Sequence, residues 1–260
     1  MKQFKAIIIT LFLFFYTTIA WASGHIVVAN VTASQEGNWI VVNYDLSHSG
    51  DGEIFIELEF AANGTDFTLV SPKNERIDGD INIVEPGTGK EIRWQAAAAL
   101  SGQFSNSAKT RIKADYRFIG VAGHPGVILD KSTGLMWPQN ALMTKGVDSI
   151  DDDGRRTLND AKAWVENMNS GIKSNFGFTD WALPSLSQLK TLYSSKYNAG
   201  PPGHPFTNYT NENYWWTSSC PSDCSSTSVT YYCSPYNSFS CSQTSHPSVT
   251  YKVWAVRSKN

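Results

Sequence analysis

The residues best suited to chemistry in this 260-residue chain lie between Ser218 and Lys252. This stretch holds twelve serines and the four cysteines of the chain, Cys220, Cys224, Cys233 and Cys241. In an exported chain an even number of cysteines is typical of disulfides, here two bridges with three possible connectivities. The alternative is a zinc site formed by these thiols with His246. Because the three, eight and seven intervening residues match no common zinc module, we expect disulfides.

An acidic loop at residues 148–154 is a second candidate site. Its aspartates and its final glycine suit calcium, which binds oxygen ligands arranged around a glycine turn. The spacing of the aspartates does not fit the D-x-[DN]-x-[DN]-G calcium loop, and no glutamate follows at the required position. We therefore expect a solvated acidic loop, with calcium as the alternative, and neither a metal nor another cofactor.

Motifs typical of catalysis do not occur in the sequence. It contains no G-x-S-x-G, no H-E-x-x-H and no glycine-rich phosphate loop, and its five histidines are scattered. We therefore predict that the protein is not an enzyme.

The N-terminal segment, residues 1–22, is expected to be a signal peptide. Lys2 and Lys5 precede an apolar run that ends in an A-x-A cleavage site at Ala20 to Ala22. A membrane anchor is the alternative, but the run is rather short to span a bilayer. Cleavage would leave 19 Lys and Arg against 23 Asp and Glu, and this balance argues against nucleic-acid binding. We expect an exported protein, periplasmic, cell-surface or secreted, with no integral membrane segment after cleavage.

Residues 23–118 have the pattern of an all-β sandwich. One face of a predicted strand carries Ile54, Ile56, Leu58 and Phe60, and the opposite face carries Glu53, Glu57 and Glu59. Similar period-two runs include Ile40 to Leu46, Ile81 with Ile83, and Ile92 with Trp94, and glycine-rich turns separate them. We expect Glu53, Glu57 and Glu59 to form a solvated sheet face. The simplest role for this domain is a spacer.

Residues 119–260 have the pattern of an α+β domain. A hairpin is predicted over residues 127–137, with its turn at Lys131-Ser-Thr-Gly134. Thr157 is expected to begin a helix, with Asp160 favourably placed near the positive end of the helix dipole. The buried stripe of that helix is expected to comprise Leu158, Ala161, Trp164 or Val165, and Met168.

A second helix follows a predicted strand that ends at Pro184. Ser185 and Gln188 have the spacing of a capping box, in which each side chain satisfies a free backbone N–H at the helix start. An apolar stripe follows at helical spacing, formed by Leu186, Leu189, Leu192 and Tyr193.

Four ordered motifs in this region resemble a known family. They are D-K-S-T-G-L-M-W, G-F-T-D-W-A-L-P-S-L-S-Q-L, Y-W-W-T-S-S and V-W-A-V-R-S. Together they resemble the Lcl C-terminal domain of bacterial collagen-like adhesins, over roughly Gly120 to Asn260. This resemblance implies a C-type-lectin-like fold. The segment D-G-D-I-N-I-V-E-P-G-T-G-K-E-I-R-W resembles the immunoglobulin-like or fibronectin-like modules that precede lectin-like domains in other exported proteins.

The resemblance implies an adhesin-like protein that binds an extracellular glycan or protein. We expect Trp137, Trp181 and Trp254 to be core residues, and Trp215 or Trp216 to form a floor beneath a ligand. The ligand contacts are predicted within the serine-rich stretch, where tyrosine and serine make adaptable surfaces. These contacts are Tyr231, Tyr232, Tyr236, Asn237, Phe239 and His246.

The composition of the serine-rich stretch also suggests diversification. Only Gln243 and Lys252 within it cannot be encoded by a codon ending in a pyrimidine. This residue set is expected where a diversity-generating retroelement randomises adenines in a lectin-like protein. An ordinary serine-rich loop pinned by two disulfides is the alternative. Two other functions remain open, a relative of formylglycine-generating oxidases and a structural envelope protein.

Overall fold

The computed structural model describes residues 25–70, 76–96, 108–144, 153–192, 205–209, 215–216, 230–234, 240–244 and 250–259. The chain divides into two compact units, Met1–Arg117 and Phe118–Asn260.

The first unit contains two antiparallel sheets. One has the strand order β1-β2-β7-β5, and in the other β3 pairs with β8 and with both β4 and β6. The strands of these sheets are β1 Ile26–Glu36, β2 Trp39–His48, β3 Ile54–Ala61, β4 Thr68–Leu69, β5 Ile77–Gly79, β6 Asn82–Val84, β7 Gly87–Trp94 and β8 Lys109–Tyr116. Buried residues of both sheets form one core, which is compatible with a sandwich.

The period-two pattern of β3 is confirmed on its apolar side, because Ile54, Ile56, Leu58 and Phe60 are buried. The expected solvated glutamate face is wrong. Glu53 accepts a hydrogen bond from the Arg117 guanidinium at 2.8 Å, and Arg117 is only 4% exposed. Glu59 is likewise paired with Arg111. Arg111 belongs to β8, which pairs with β3, and Arg117 follows the last residue of β8. The sequence of β3 alone does not indicate that its glutamates pair with these arginines.

The second unit is β-rich with two described helices. Its strands are β9 Phe118–Gly120, β10 Val127–Asp130, β11 Leu135–Pro138, β12 Arg155–Arg156, β13 Trp215–Trp216, β14 Thr230–Ser234, β15 Ser240–Thr244, β16 Tyr251–Lys252 and β17 Arg257–Ser258. They form sheets of order β17-β11-β10-β9 and β12-β16-β13-β14-β15. The helices are α1 Leu158–Asn169 and α2 Leu186–Thr191. The architecture is therefore a β-rich α+β type.

The predicted β10–β11 hairpin is confirmed. Asp130 is fully buried, and its carboxylate accepts hydrogen bonds from the backbone N–H and the hydroxyl of Ser132, at 3.0 and 2.7 Å. Gly134 closes the turn with its N–H on the Asp130 carbonyl and a φ of 70°, a left-handed conformation that glycine adopts without strain.

Both predicted helix starts are confirmed. The Thr157 hydroxyl accepts a hydrogen bond from the Asp160 N–H, and α1 buries Ala161, Trp164, Val165 and Met168. Ser185 and Gln188 form the complete capping box of α2. The strand predicted before Pro184 is wrong, since only Ala182 pairs there, in an isolated bridge with Val256. Tyr193 lies outside the described residues.

Candidate functional site

The serine-rich stretch contributes the hairpin strands β14 and β15 to the five-stranded sheet. The strands are antiparallel, and β15 is the last strand in the sheet order. Their paired positions are Thr230 with Thr244, Tyr231 with Gln243, Tyr232 with Ser242, Cys233 with Cys241, and Ser234 with Ser240. The predicted site residues Tyr231 and Tyr232 therefore occupy neighbouring positions of a sheet strand.

The strand β13 fixes which positions share a face. Trp215 is opposite Cys233, and Trp216 is opposite Tyr232. Directly opposite residues share a face, and successive residues alternate between faces. The positions on one face, called here the Trp215 face, are Trp215, Tyr231, Cys233, Cys241 and Gln243. The other face is called here the hydroxyl face, and its positions are Trp216, Thr230, Tyr232, Ser234, Ser240, Ser242 and Thr244.

The two faces differ sharply in residue type. All six positions that β14 and β15 contribute to the hydroxyl face are Ser, Thr or Tyr, and β13 adds Trp216. A hydroxyl group both donates and accepts hydrogen bonds, and an aromatic ring supplies a flat contact area. The hydroxyl face therefore combines the two kinds of group that a polar ligand requires.

Trp215 anchors this sheet to the core of its unit. It is 2% exposed, and its indole N–H donates to the Ala141 carbonyl at 3.2 Å. Its ring stacks on Tyr209, with centroids 5.4 Å apart, and lies 5.7 Å from the ring of Trp254. Burial raises the pKa of the Tyr209 hydroxyl above its ordinary value. This burial argues against the predicted contact between Trp215 and a ligand, and we interpret Trp215 as a core residue.

The three tryptophans that were predicted to be core residues are buried. Trp137 and Trp254 have no exposed surface and Trp181 is almost fully buried. Trp254 donates its indole N–H to the Pro138 carbonyl at 2.9 Å, and its ring lies 5.0 Å from that of Trp137. These contacts join β11 to the segment that follows β16.

The far end of the same sheet carries an ionic cluster around Asp153. Lys252 of β16 is largely buried, donates to the Asp153 backbone carbonyl, and has its ammonium 3.6 Å from the Asp153 carboxylate. Arg155 of β12 lies 2.9 Å from the same carboxylate. The Thr144 hydroxyl donates to the Gly154 carbonyl. The last two residues of the acidic loop are therefore tied to protein groups.

The calcium alternative is not tested by this arrangement, since Asp148, Asp151 and Asp152 lie outside the described residues. Within the part of the chain that the structure describes, no group of three or more His, Cys, Asp or Glu side chains could hold a metal ion. Six further predicted site residues also lie outside the described ranges: Cys220, Cys224, Tyr236, Asn237, Phe239 and His246.

A stack of three side chains at β17, in the four-stranded sheet of this unit, was not predicted from the sequence. The Arg257 guanidinium lies over the Phe178 ring at 3.9 Å, and the His124 ring stacks on Phe178 at 4.2 Å. The His124 Nδ1 is 2.7 Å from the Phe176 carbonyl oxygen. Phe178 and Arg257 both belong to the motifs quoted above, which was the available signal. Cation–aromatic stacking orders these segments and suggests no chemistry of its own.

Comparison with known proteins identifies a family for the second unit. Residues 126–257 match the family described as the Lcl C-terminal domain. No curated protein and no solved structure matches the chain. Among the described residues, no helix has both the length and the apolar character needed to cross a membrane.

Proposed function

The chain belongs to the Lcl C-terminal domain family, and from this membership we propose that it is an exported, adhesin-like surface protein. Its C-terminal domain, residues 119–260, binds a glycan or a protein on another surface. The fold of that domain is of the C-type-lectin-like kind. The β-sandwich of residues 23–118, of the immunoglobulin or fibronectin kind, serves as the spacer. No catalytic step is assigned to either domain.

The observation that carries this proposal is the segregation of residue types across the β13-β14-β15 sheet. Ser, Thr and Tyr positions fall on the hydroxyl face, whereas both described cysteines fall on the Trp215 face. Since each hydroxyl can donate and accept, this face suits a ligand that is itself rich in hydroxyl or amide groups. Tyr232 and Trp216, which are paired across the strands, supply aromatic area at low entropic cost.

The Trp215 face gives the hydroxyl face a fixed base. Trp215 packs between Tyr209 and Trp254, and its N–H is satisfied by the Ala141 carbonyl. A binding surface built on strands that are held by a packed core loses less conformational entropy on binding than a free loop does. For this reason Tyr232 and Trp216 are our foremost contact candidates. Tyr231 lies on the Trp215 face and ranks below them.

The residues of the serine-rich stretch that adenine randomisation could not produce lie away from the hydroxyl face, which supports diversification of that face. The two residues that pyrimidine-ending codons cannot encode are Gln243 and Lys252. Gln243 is on the Trp215 face, and Lys252 pairs directly with Trp215 and is buried. We therefore expect substitutions to concentrate on the hydroxyl face. Sequencing the 3′ end of the gene from many clones and sister isolates tests this, and a uniform stretch would contradict diversification.

A binding screen tests the proposed function itself. The exported full-length chain is applied to an array of glycans and to a panel of extracellular matrix proteins. We expect saturable binding to at least one class, with competition by the same ligand in solution. Absence of binding to both classes, together with tight self-association, would instead favour a structural envelope role. Copper uptake by the reduced protein with turnover of a thiol substrate would favour the oxidase alternative.

A further inference from the structure

The register of the β14–β15 hairpin pairs Cys233 directly with Cys241. From this pairing we propose that these two residues form a cross-strand disulfide, which leaves Cys220 to pair with Cys224. The register thereby selects one of the three connectivities that the four cysteines allow.

The distance requirement is met by backbone geometry. Directly opposite residues of an antiparallel pair have Cα atoms about 4.5 or 5.5 Å apart, depending on the hydrogen-bonding type of the pair. A disulfide joins Cα atoms roughly 4.4–6.8 Å apart. Both types of pair therefore fall within the range that a disulfide spans. The pairing continues for three residues before Cys233 and for one residue after it, so the Cys233–Cys241 pair is part of a continuous ladder.

The other connectivities conflict with this register. They join Cys233 to Cys220 or to Cys224, and Cys241 to the remaining one of that pair. Either arrangement would leave two directly opposite cysteines bonded elsewhere. The Cys233–Cys241 bridge also reinforces a pairing that the strands already form, whereas the alternatives would introduce a separate constraint.

The oxidation balances through thiol–disulfide exchange. The thiolate of one cysteine attacks the disulfide of a dithiol oxidant in the exported compartment and forms a mixed disulfide. The second thiolate of this chain then attacks the sulfur of the first cysteine in that mixed disulfide. The new disulfide forms, and the oxidant leaves as its reduced dithiol. The two cysteines together lose two electrons and two protons, and the oxidant gains both.

The bridge braces the hairpin from the side opposite the hydroxyl face. Cys233 and Cys241 both lie on the Trp215 face, and Cys233 is directly opposite Trp215. In sequence they bracket Tyr236, Asn237 and Phe239, three of the predicted contact residues. Closing this short ring reduces the conformational entropy of the unfolded hairpin. The consequence for ligand binding rests on the proposed function, but the connectivity does not.

Peptide mapping of the oxidised full-length protein tests the connectivity without a ligand. Trypsin is unsuitable because no Lys or Arg occurs between Cys220 and Cys241. Chymotrypsin cleaves after Tyr232, Tyr236 and Phe239, and a protease that cuts before aspartate separates Cys220 from Cys224 at Asp223. Digestion follows alkylation of free thiols at low pH.

We expect the fragment from Cys233 to Tyr236 linked to the fragment that begins at Ser240. We expect the fragment ending at Ser222 linked to the one beginning at Asp223. A link from Cys233 to Cys220 or Cys224 would overturn the proposal, as would alkylated thiols at Cys233 and Cys241 in protein isolated from the exported compartment.

Cysteine variants provide an independent check. The paired change Cys233→Ser with Cys241→Ser is expected to lower the melting temperature while retaining the Cys220–Cys224 link. The matched control, Cys220→Ser with Cys224→Ser, is expected to retain the Cys233–Cys241 link. Alkylated, unlinked thiols at the two remaining cysteines of either variant would contradict the assignment. Because these readouts need no ligand, failure of the binding screen leaves them unaffected.

Discussion

Arg257 and Asp180 form a bidentate ion pair across 77 residues of sequence. The Nε of Arg257 donates to one carboxylate oxygen at 2.6 Å, and an Nη donates to the other at 3.1 Å. The arginine side chain is largely buried, whereas the aspartate is 45% exposed. Two family motifs, T-D-W-A-L-P and V-W-A-V-R, therefore meet through these side chains, and the final strand β17 is fixed by them.

This pair predicts acid sensitivity. The hydrogen bond from Arg257 lowers the pKa of the Asp180 carboxyl below its ordinary value. Since the folded-state pKa is the lower one, the pair's contribution to stability is complete above the unfolded pKa of about 4. It is lost as the pH falls through the folded-state pKa. Asp180→Asn should therefore lower the melting temperature at pH 7 and flatten its decline between about pH 4 and pH 2.

Melting curves of wild type and Asp180→Asn over this pH range measure the effect. Glu166→Gln, at an exposed position of α1, is the control and should follow the wild type. Parallel curves for wild type and Asp180→Asn would count against the role assigned to the pair.

The two buried tryptophans in contact should differ in their tolerance of phenylalanine. Trp254→Phe leaves the Pro138 carbonyl without its indole donor and should cost about 1–3 kcal/mol beyond the lost ring contacts. The Trp137 N–H is buried and finds no acceptor among the described residues, so Trp137→Phe removes a group that is unsatisfied there. Denaturant unfolding should rank Trp254→Phe as the more destabilising change. The reverse order would refute this account.

The capping box of α2 should contribute measurably to stability. Ser185→Ala removes the acceptor for the Gln188 N–H and should cost about 1 kcal/mol. Ser185→Asp, which retains an acceptor, should lose less. Ser174→Ala, an exposed change elsewhere in the same unit, should lie within about 0.5 kcal/mol of wild type. Equal unfolding free energies for all three variants would mean that the cap does not stabilise the helix.

In the first unit, two glycines with positive φ allow the destabilisation caused by a steric clash to be distinguished from that caused by backbone strain. A Cβ at Gly79 would collide with the Glu91 carbonyl oxygen on the paired strand, whereas a Cβ at Gly37 would meet nothing within 4 Å. Both residues have positive φ, 96° and 59°. Gly79→Ala should therefore destabilise the protein clearly more than Gly37→Ala in thermal unfolding. Equal losses would mean that the backbone at Gly79 shifts freely.

Local patterns in the sequence predicted local structure well. The Ser185–Gln188 spacing, the Lys131-to-Gly134 turn and the apolar side of β3 are patterns of a few neighbouring residues, and each is confirmed. The pattern of Ile81 with Ile83 failed because Asn82 has a positive φ of 69°, and Val84 rather than Ile83 is buried. The alternation of residue types does not indicate a local backbone change of this kind.

The candidate site was only partly predictable, for a similar reason. Tyrosine and serine content identified the stretch, but its two faces became distinct only through the pairing of β14 with β13 and β15. Trp215 and Trp216 are adjacent in sequence, and nothing local indicated which of them enters the core. The Arg257–Asp180 pair and the Arg117–Glu53 pair join distant segments, so no spacing rule could reveal either of them.

Binding by hydroxyl-face variants is the most direct test of the central claim. Tyr232→Ala and Ser242→Ala, in the exported full-length chain, are compared with wild type on the same glycan and matrix-protein panel. The matched control is Ile172→Ala, which truncates an apolar side chain that is 72% exposed in the same unit. We predict that Tyr232→Ala weakens binding by about tenfold or more while the melting temperature stays near that of wild type. Wild-type affinity in both hydroxyl-face variants would contradict the assignment of this face as the ligand site.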